Sequence, residues 1–178
     1  MVLVRALVVY ESMYGNTHAV AVGVAAGLRT THEVVVAPVT RIAPELVTTA
    51  DLIVAGGPTH LHGLSTVTSR RKAVQAARGA GSGLTMDPDA DGLALRFWLE
   101  GLAAEGVRAA AFDTRLSGMI VLTGHASREI ARLLTRRGCR VLLTPESFLV
   151  SGQNALLEGE VERARGWGAL VGAAACAA

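Results

Sequence analysis

Two hydrophobic rhythms alternate along the chain. Leu3 to Tyr10 is a Val- and Leu-rich run broken only by Arg5 and Ala6, the pattern of a strand covered on both faces. Residues 16–29 then place Val20, Val24, Gly27 and Leu28 at helical spacing, a stripe suited to covering a sheet. Glu33 to Val39 reads as a second strand, ended at Pro38. Pro44 opens a short helix, and Asp51 to Ala55 forms a third strand running into Gly56-Gly57-Pro58, where two glycines and a proline predict a rigid loop.

The second half repeats the alternation. Residues 65–78 predict a helix with Ala73, Ala76 and Ala77 on its apolar side and Arg70, Arg71 and Lys72 exposed. Gly79 to Gly92 is a Gly- and Asp-rich loop, and its opening suggests mobility. Ala94 to Leu102 adds helical turns whose Phe97 and Trp98 are expected to pack, and Arg108 to Phe112 is a fourth strand. Ser127 to Arg137 is helical, with Ile130, Leu133 and Leu134 inward and Gly138 as the stop. Val141 to Thr144 and Ser147 to Val150 predict a fifth strand broken by Pro145. The last helix is expected from Leu156 to Val171, where Gly159, Gly166 and Gly168 lower propensity but permit close packing. Five strands alternating with helices imply an α/β domain spanning 1–178, with a parallel sheet between two helical layers. Ligands of such sheets sit beyond the carboxyl ends of the strands, which directs attention to the loops starting at Glu11, Gly56 and Asp113.

Composition narrows the function. A hydrophobic content of 51% with a net charge of +2 excludes disorder as the main state. No apolar stretch approaches the roughly 20 residues of a membrane-spanning helix, and no signal sequence is evident, so a cytoplasmic protein without a membrane partner is expected. The basic residues are scattered among 15 acids; Arg128 to Arg140, with five Arg and one Glu, reads as a solvated helix face rather than a nucleic-acid surface. Cys139 and Cys176 have no CxxC spacing, which fits structural thiols in a reducing compartment.

The first loop carries the strongest chemical signal. Ser12-Met13-Tyr14-Gly15-Asn16-Thr17 joins an apolar strand to an amphipathic helix. Its hydroxyls and amides, with the unpaired N–H groups of a helix start, favour an anion. It contains no Lys or Arg and lacks the GxxxxGK[ST] pattern, which suits a terminal phosphate better than a triphosphate–magnesium complex. The alternative is an N-cap box with Asn16 as the cap. The second loop is Pro58-Thr59-His60-Leu61-His62-Gly63. Its two histidines read as ligand or plain loop residues more readily than as a metal pair, since no third ligand is evident nearby. Asp87, Asp89 and Asp91 imitate the opening of a calcium loop, but its twelfth position is Trp98 rather than a bidentate Glu, so a surface turn is expected.

S-M-Y-G-N-T after strand one and G-G-P-T-H-x-x-G after strand three resemble the flavodoxin family, and the strand–helix order is similar over nearly the whole chain. The resemblance implies a three-layer α-β-α sandwich with a five-stranded parallel sheet of order 2-1-3-4-5 and FMN at the switch point. It assigns Ser12, Met13, Tyr14, Gly15, Asn16 and Thr17 to the phosphate. Pro58, Thr59, His60, Leu61, His62 and Gly63 would flank one side of the flavin ring, and Asp113, Thr114 and Arg115 the other. The implied role is an electron carrier working with a redox partner protein, either an NAD(P)H-dependent reductase or an acceptor. The ring loops carry histidines where electron-carrier flavodoxins commonly present Trp and Tyr, and the chain is slightly basic rather than acidic. Two alternatives therefore stay open: an FMN-dependent NAD(P)H:quinone reductase, and a flavin-free binding module on the same fold. The oligomeric state is open.

Overall fold

The uninterrupted apolar runs become the centre of a parallel sheet. In the computed structural model, which describes residues 4–60, 63–118 and 124–178, β1 (Arg5–Tyr10) lies between β2 (Glu33–Pro38) and β3 (Leu52–Pro58). β4 (Arg108–Leu116) follows β3, and both β5 (Arg140–Val141) and β6 (Glu146–Val150) pair with β4. The order is β2-β1-β3-β4-β5, with β6 farther along the β4 edge, and every pairing is parallel. The expected fifth strand is thus two strands. Pro145, just before β6, has no N–H to give a ladder, and the chain leaves the sheet between Val141 and Glu146.

Helices cover both faces. On one, α1 (Asn16–Leu28) and α6 (Glu160–Ala177) bury Val20, Val24, Leu28, Trp167 and Val171 against Val8, Val54 and Phe112. Phe112, Phe148 and Trp167 meet edge to face with centroids 6.1–6.2 Å apart, a geometry that adds about 0.5–1.5 kcal/mol per pair beyond area burial. On the other face, α4 (Leu95–Gly101) and α5 (Ala126–Arg136) set Leu95, Leu99, Ile130 and Leu134 on Leu7, Val9 and Ile53, flanked by Leu46 and Val47 of α2 (Pro44–Thr48). Trp98 packs against this layer, whereas Phe97 is 51% exposed, contrary to expectation. α3 (Val67–Arg78) stands apart. It buries only Ser69 and Ala73 and belongs to a small third cluster with Met13 and Ala90.

Close backbone approaches explain several glycines. Gly56 and Gly57 are not a loop but the end of β3, paired with Phe112 and Asp113. A Cβ on Gly56 would lie 2.0 Å from Cζ of Phe112, whose ring occupies that space. Between α1 and α6, a Cβ on Gly27 would stand 2.0 Å from the Arg165 carbonyl oxygen, and one on Gly168 2.1 Å from that of Val24. The two helices therefore touch backbone to backbone. α6 begins at Glu160 rather than Leu156, because Leu156 bridges back to Val150 and Gly159 turns the chain at φ 81°.

Gly27→Ala and Gly166→Ala should act in opposite directions under urea denaturation. The first forces the helices apart and should cost at least the 1–3 kcal/mol typical of overpacking. Gly166 has open space around it, so alanine there should gain up to about 1 kcal/mol of helix propensity. Similar effects from both would contradict the backbone contact.

Candidate functional site

The carboxyl ends of β1, β3, β4 and β6 converge on one cavity of about 400 Å³, within the size range of small-ligand sites. One end is the first loop. Gly15 is the N-cap of α1 with φ 89°, a conformation open to glycine, and no side chain caps the helix. The Asn16 cap considered as an alternative is therefore not formed. Asn16 instead donates from Nδ2 to the carbonyl oxygen and Oδ1 of Asn154, both at 3.0 Å. Ser12 Oγ accepts from the Gly15 N–H at 3.0 Å, which leaves its own O–H to donate. Thr17 Oγ1 shares a 2.7 Å hydrogen bond with Thr114 Oγ1. The loop thus offers hydroxyls and uncapped first-turn amides at the positive end of a helix dipole.

Pro58, Thr59 and His60 from the end of β3 and Thr114 and Arg115 from β4 also line the cavity. Thr59 also works structurally: its N–H donates to the Thr114 carbonyl at 2.8 Å, and its Oγ1 accepts from the Ala126 N–H at 3.0 Å. His60 and Gly63 exchange backbone hydrogen bonds of 2.8 and 3.1 Å. Burial pushes the His60 imidazole below its ordinary pKa, opposed by Glu11 and aided by Arg70, so the ring is neutral at pH 7. Asp113 and Gly63 do not line the cavity. Asp113 is fully buried in β4, not in a loop, and accepts from the Ser127 N–H at 2.7 Å. Gly63 lies beside Glu129, whose Oε2 accepts from the Leu64 N–H at 2.9 Å. Leu61 and His62 fall outside the described residues.

The long segment between α3 and β4 contributes no lining residue but braces the first loop from behind. Its Asp87 N–H donates to the Met13 carbonyl at 2.8 Å. Asp87 is buried rather than on a surface turn, and its carboxylate stands 3.5 Å from His18. His18 stacks on Tyr10 at 4.8 Å. Burial, with Asp87 and Asp89 nearby, pushes the Tyr10 phenol up to about 12. Asp89 is held by Thr40 and Arg41, so protein groups engage two of the three calcium-like aspartates. Among the described residues no group of three or more His, Cys, Asp and Glu could hold a metal. Glu11, 3% exposed, accepts from the Leu95 N–H at 2.7 Å and pairs with Arg70 at 3.7 Å.

Sequence reasoning missed three polar contributors. Asn154 reaches the cavity from the turn after β6 in a left-handed conformation, φ 60°; the Gly152-Gln153-Asn154 turn was its only signal. Ser69 and Lys72 line the cavity from α3, although Lys72 read as plain surface charge. Arg70, expected to be exposed, is instead committed to Glu11 and the carbonyls of Ala90 and Gly92. No carboxylate is among the described lining residues, and the charged ones are Lys72 and Arg115.

No curated protein sequence matches the chain. In structure it is similar to a flavodoxin from the domain Archaea, at 18% identity and TM-score 0.67 over 97% of this chain and 99% of that one. Oxidised Flavodoxin 2 from Bacillus cereus is similar at 20% identity and TM-score 0.63, over 95% and 97%. The Flv1 flavodiiron core from Synechocystis sp. PCC6803 is similar at 14% identity and TM-score 0.65, over 98% of this chain and 36% of that one. The flavodoxin family model matches residues 8–162, from within β1 to the first turn of α6 and including the cavity-forming loops: the chain belongs to the flavodoxin family.

Proposed function

We propose that the chain binds FMN non-covalently in this cavity and relays electrons between a redox partner protein and an acceptor. The observation that carries the reading is the uncapped start of α1, where left-handed Gly15 and the Ser12 and Thr17 hydroxyls form an anion cradle. The residues present fit the group. Hydroxyls and amides suit a phosphate, the cavity volume suits a small cofactor, and no described carboxylate opposes an anion. When bound, FMN supplies one- and two-electron redox chemistry. The protein's share is to hold the phosphate at Ser12 to Thr17, to flank the ring with Pro58, Thr59 and neutral His60, and to present Arg115 from the other side.

A second reading, an FMN-dependent NAD(P)H:quinone reductase, is favoured by the same absence of carboxylates, since cationic walls also suit an anionic dinucleotide. Steady-state NAD(P)H oxidation with benzoquinone and no added reductase separates the two. A purified protein that is colourless and stays so with added FMN would instead leave a flavin-free module.

FMN should bind and riboflavin, lacking the phosphate, should bind far more weakly. A charge-assisted hydrogen bond contributes about 1.5–3 kcal/mol, so Thr17→Ala should weaken FMN roughly tenfold to a hundredfold. Riboflavin binding should be unchanged. Equal losses for both flavins, read by fluorescence quenching, would show that Thr17 is not a phosphate ligand.

Arg115 carries a redox expectation. Arg115 lines the cavity and donates from Nη1 to the Leu116 carbonyl at 3.3 Å. A guanidinium at the cavity wall favours the more negative, reduced ligand. At a partly exposed position this amounts to about 1 kcal/mol, or roughly 40 mV for one electron. Arg115→Ala should lower the midpoint potential of the second electron, measured by photoreduction against a reference dye. An unchanged or raised potential would remove Arg115 from this role.

A further inference from the structure

We propose that Lys72 is the counter-charge for the phosphate in the cavity, and so the residue that makes the site select a phosphorylated flavin over its unphosphorylated form. The inference rests on the FMN reading above and adds to it a residue outside the first loop. That loop contains no cation of its own. Ser69, Lys72, Ala73 and Ala76 fall at i, i+3, i+4 and i+7, so they share one face of α3, and all four line the cavity.

This face is pinned to the loop. Tyr14 Oη donates to the Ala73 carbonyl at 2.8 Å, and Met13 packs on Ala73. Lys72 is therefore one residue from the anchor between the helix and the first loop. The neighbouring cations are unavailable there. Arg70 is committed to Glu11, Ala90 and Gly92, and Arg71 and Arg78 line a separate groove on the opposite face of the helix. Among the described residues Lys72 makes no hydrogen bond or ion pair. Its ammonium is a mobile point charge on a long apolar stem, and the small side chains of Ala73 and Ala76 leave room for that stem along the wall.

The charge state of the ligand decides what Lys72 adds. A phosphate monoester gains its second negative charge near pH 6. Neutral hydroxyls and amides solvate that dianion without neutralising it, whereas an ammonium favours the dianion over the monoanion. A lysine here should therefore make FMN binding dependent on both salt and pH.

Flavin fluorescence quenching on the full chain tests this with FMN and riboflavin as probes, for wild type, Lys72→Met and Lys72→Arg. Because Lys72 is exposed, both variants should fold, which circular dichroism verifies. Lys72→Met should bind FMN about tenfold more weakly and riboflavin as wild type does. Its FMN affinity should depend less steeply on salt and gain less between pH 5 and 7.5. Lys72→Arg should recover most of the loss. Equal losses for both flavins, or FMN affinity and salt dependence matching wild type in Lys72→Met, overturn the proposal while FMN binding itself stands. Wild type that quenches neither flavin overturns the FMN reading and this inference with it.

Discussion

A carboxylate buried just past the end of the first strand organises the ligand side of this protein. Glu11 cannot reach bulk water, and a buried charge left without partners would cost several kcal/mol. The partners it receives come from far along the chain: the Leu95 N–H at the start of α4 and the guanidinium of Arg70 in α3. Arg70 also donates from Nη2 to the carbonyls of Ala90 and Gly92. One buried charge thus fixes where α3, the Asp-rich segment and α4 stand relative to the loop that follows β1. The first loop is held as a cradle by this ring of contacts as much as by its own sequence.

The core of the fold was legible because burial on both faces writes itself as unbroken apolar runs. β1, β3 and the helices α1 and α5 follow directly from such patterning. The first loop was legible too, since hydroxyls, an amide and a glycine at a strand–helix junction have few other uses. What stayed hidden depended on contacts between distant residues. Asn16 meets Asn154 across 138 positions, and Tyr14 meets Ala73 across 59. Nothing near Lys72 in sequence distinguishes it from the arginines beside it; only the placement of α3 does. The end of β3 was misread for a related reason. Gly56-Gly57 signals a loop locally, while the Phe112 ring that requires a bare backbone there comes 56 residues later.

The cavity differs from side to side in how firmly it is held. Strand ends supply Pro58, Thr114 and Val150, all within a parallel sheet backed by two apolar layers. Among the described residues the α3 wall rests on the small Met13–Ala73–Ala90 cluster with Tyr14, Val74 and Met86 around it, a tyrosine hydrogen bond and the Arg70 contacts behind it. Regions with few buried apolar contacts open at lower free energy than core strands. The sheet side of the cavity is therefore the more firmly held and the α3 side the more readily opened.

The glycine contact between α1 and α6 bears on how the protein is made. The loop after β1 comes long before its partners in the chain: α1 lacks its packing partner until Gly168 meets Val24 and Gly27 meets Arg165. Asn16 likewise lacks its hydrogen-bond partner until Asn154 has been added. During vectorial synthesis, with N-terminal residues emerging before C-terminal ones, this loop is exposed well before the residues that give it its final geometry. Anything that needs the finished loop can therefore bind only after Asn154 and Gly168 are in place, and cannot help to start folding.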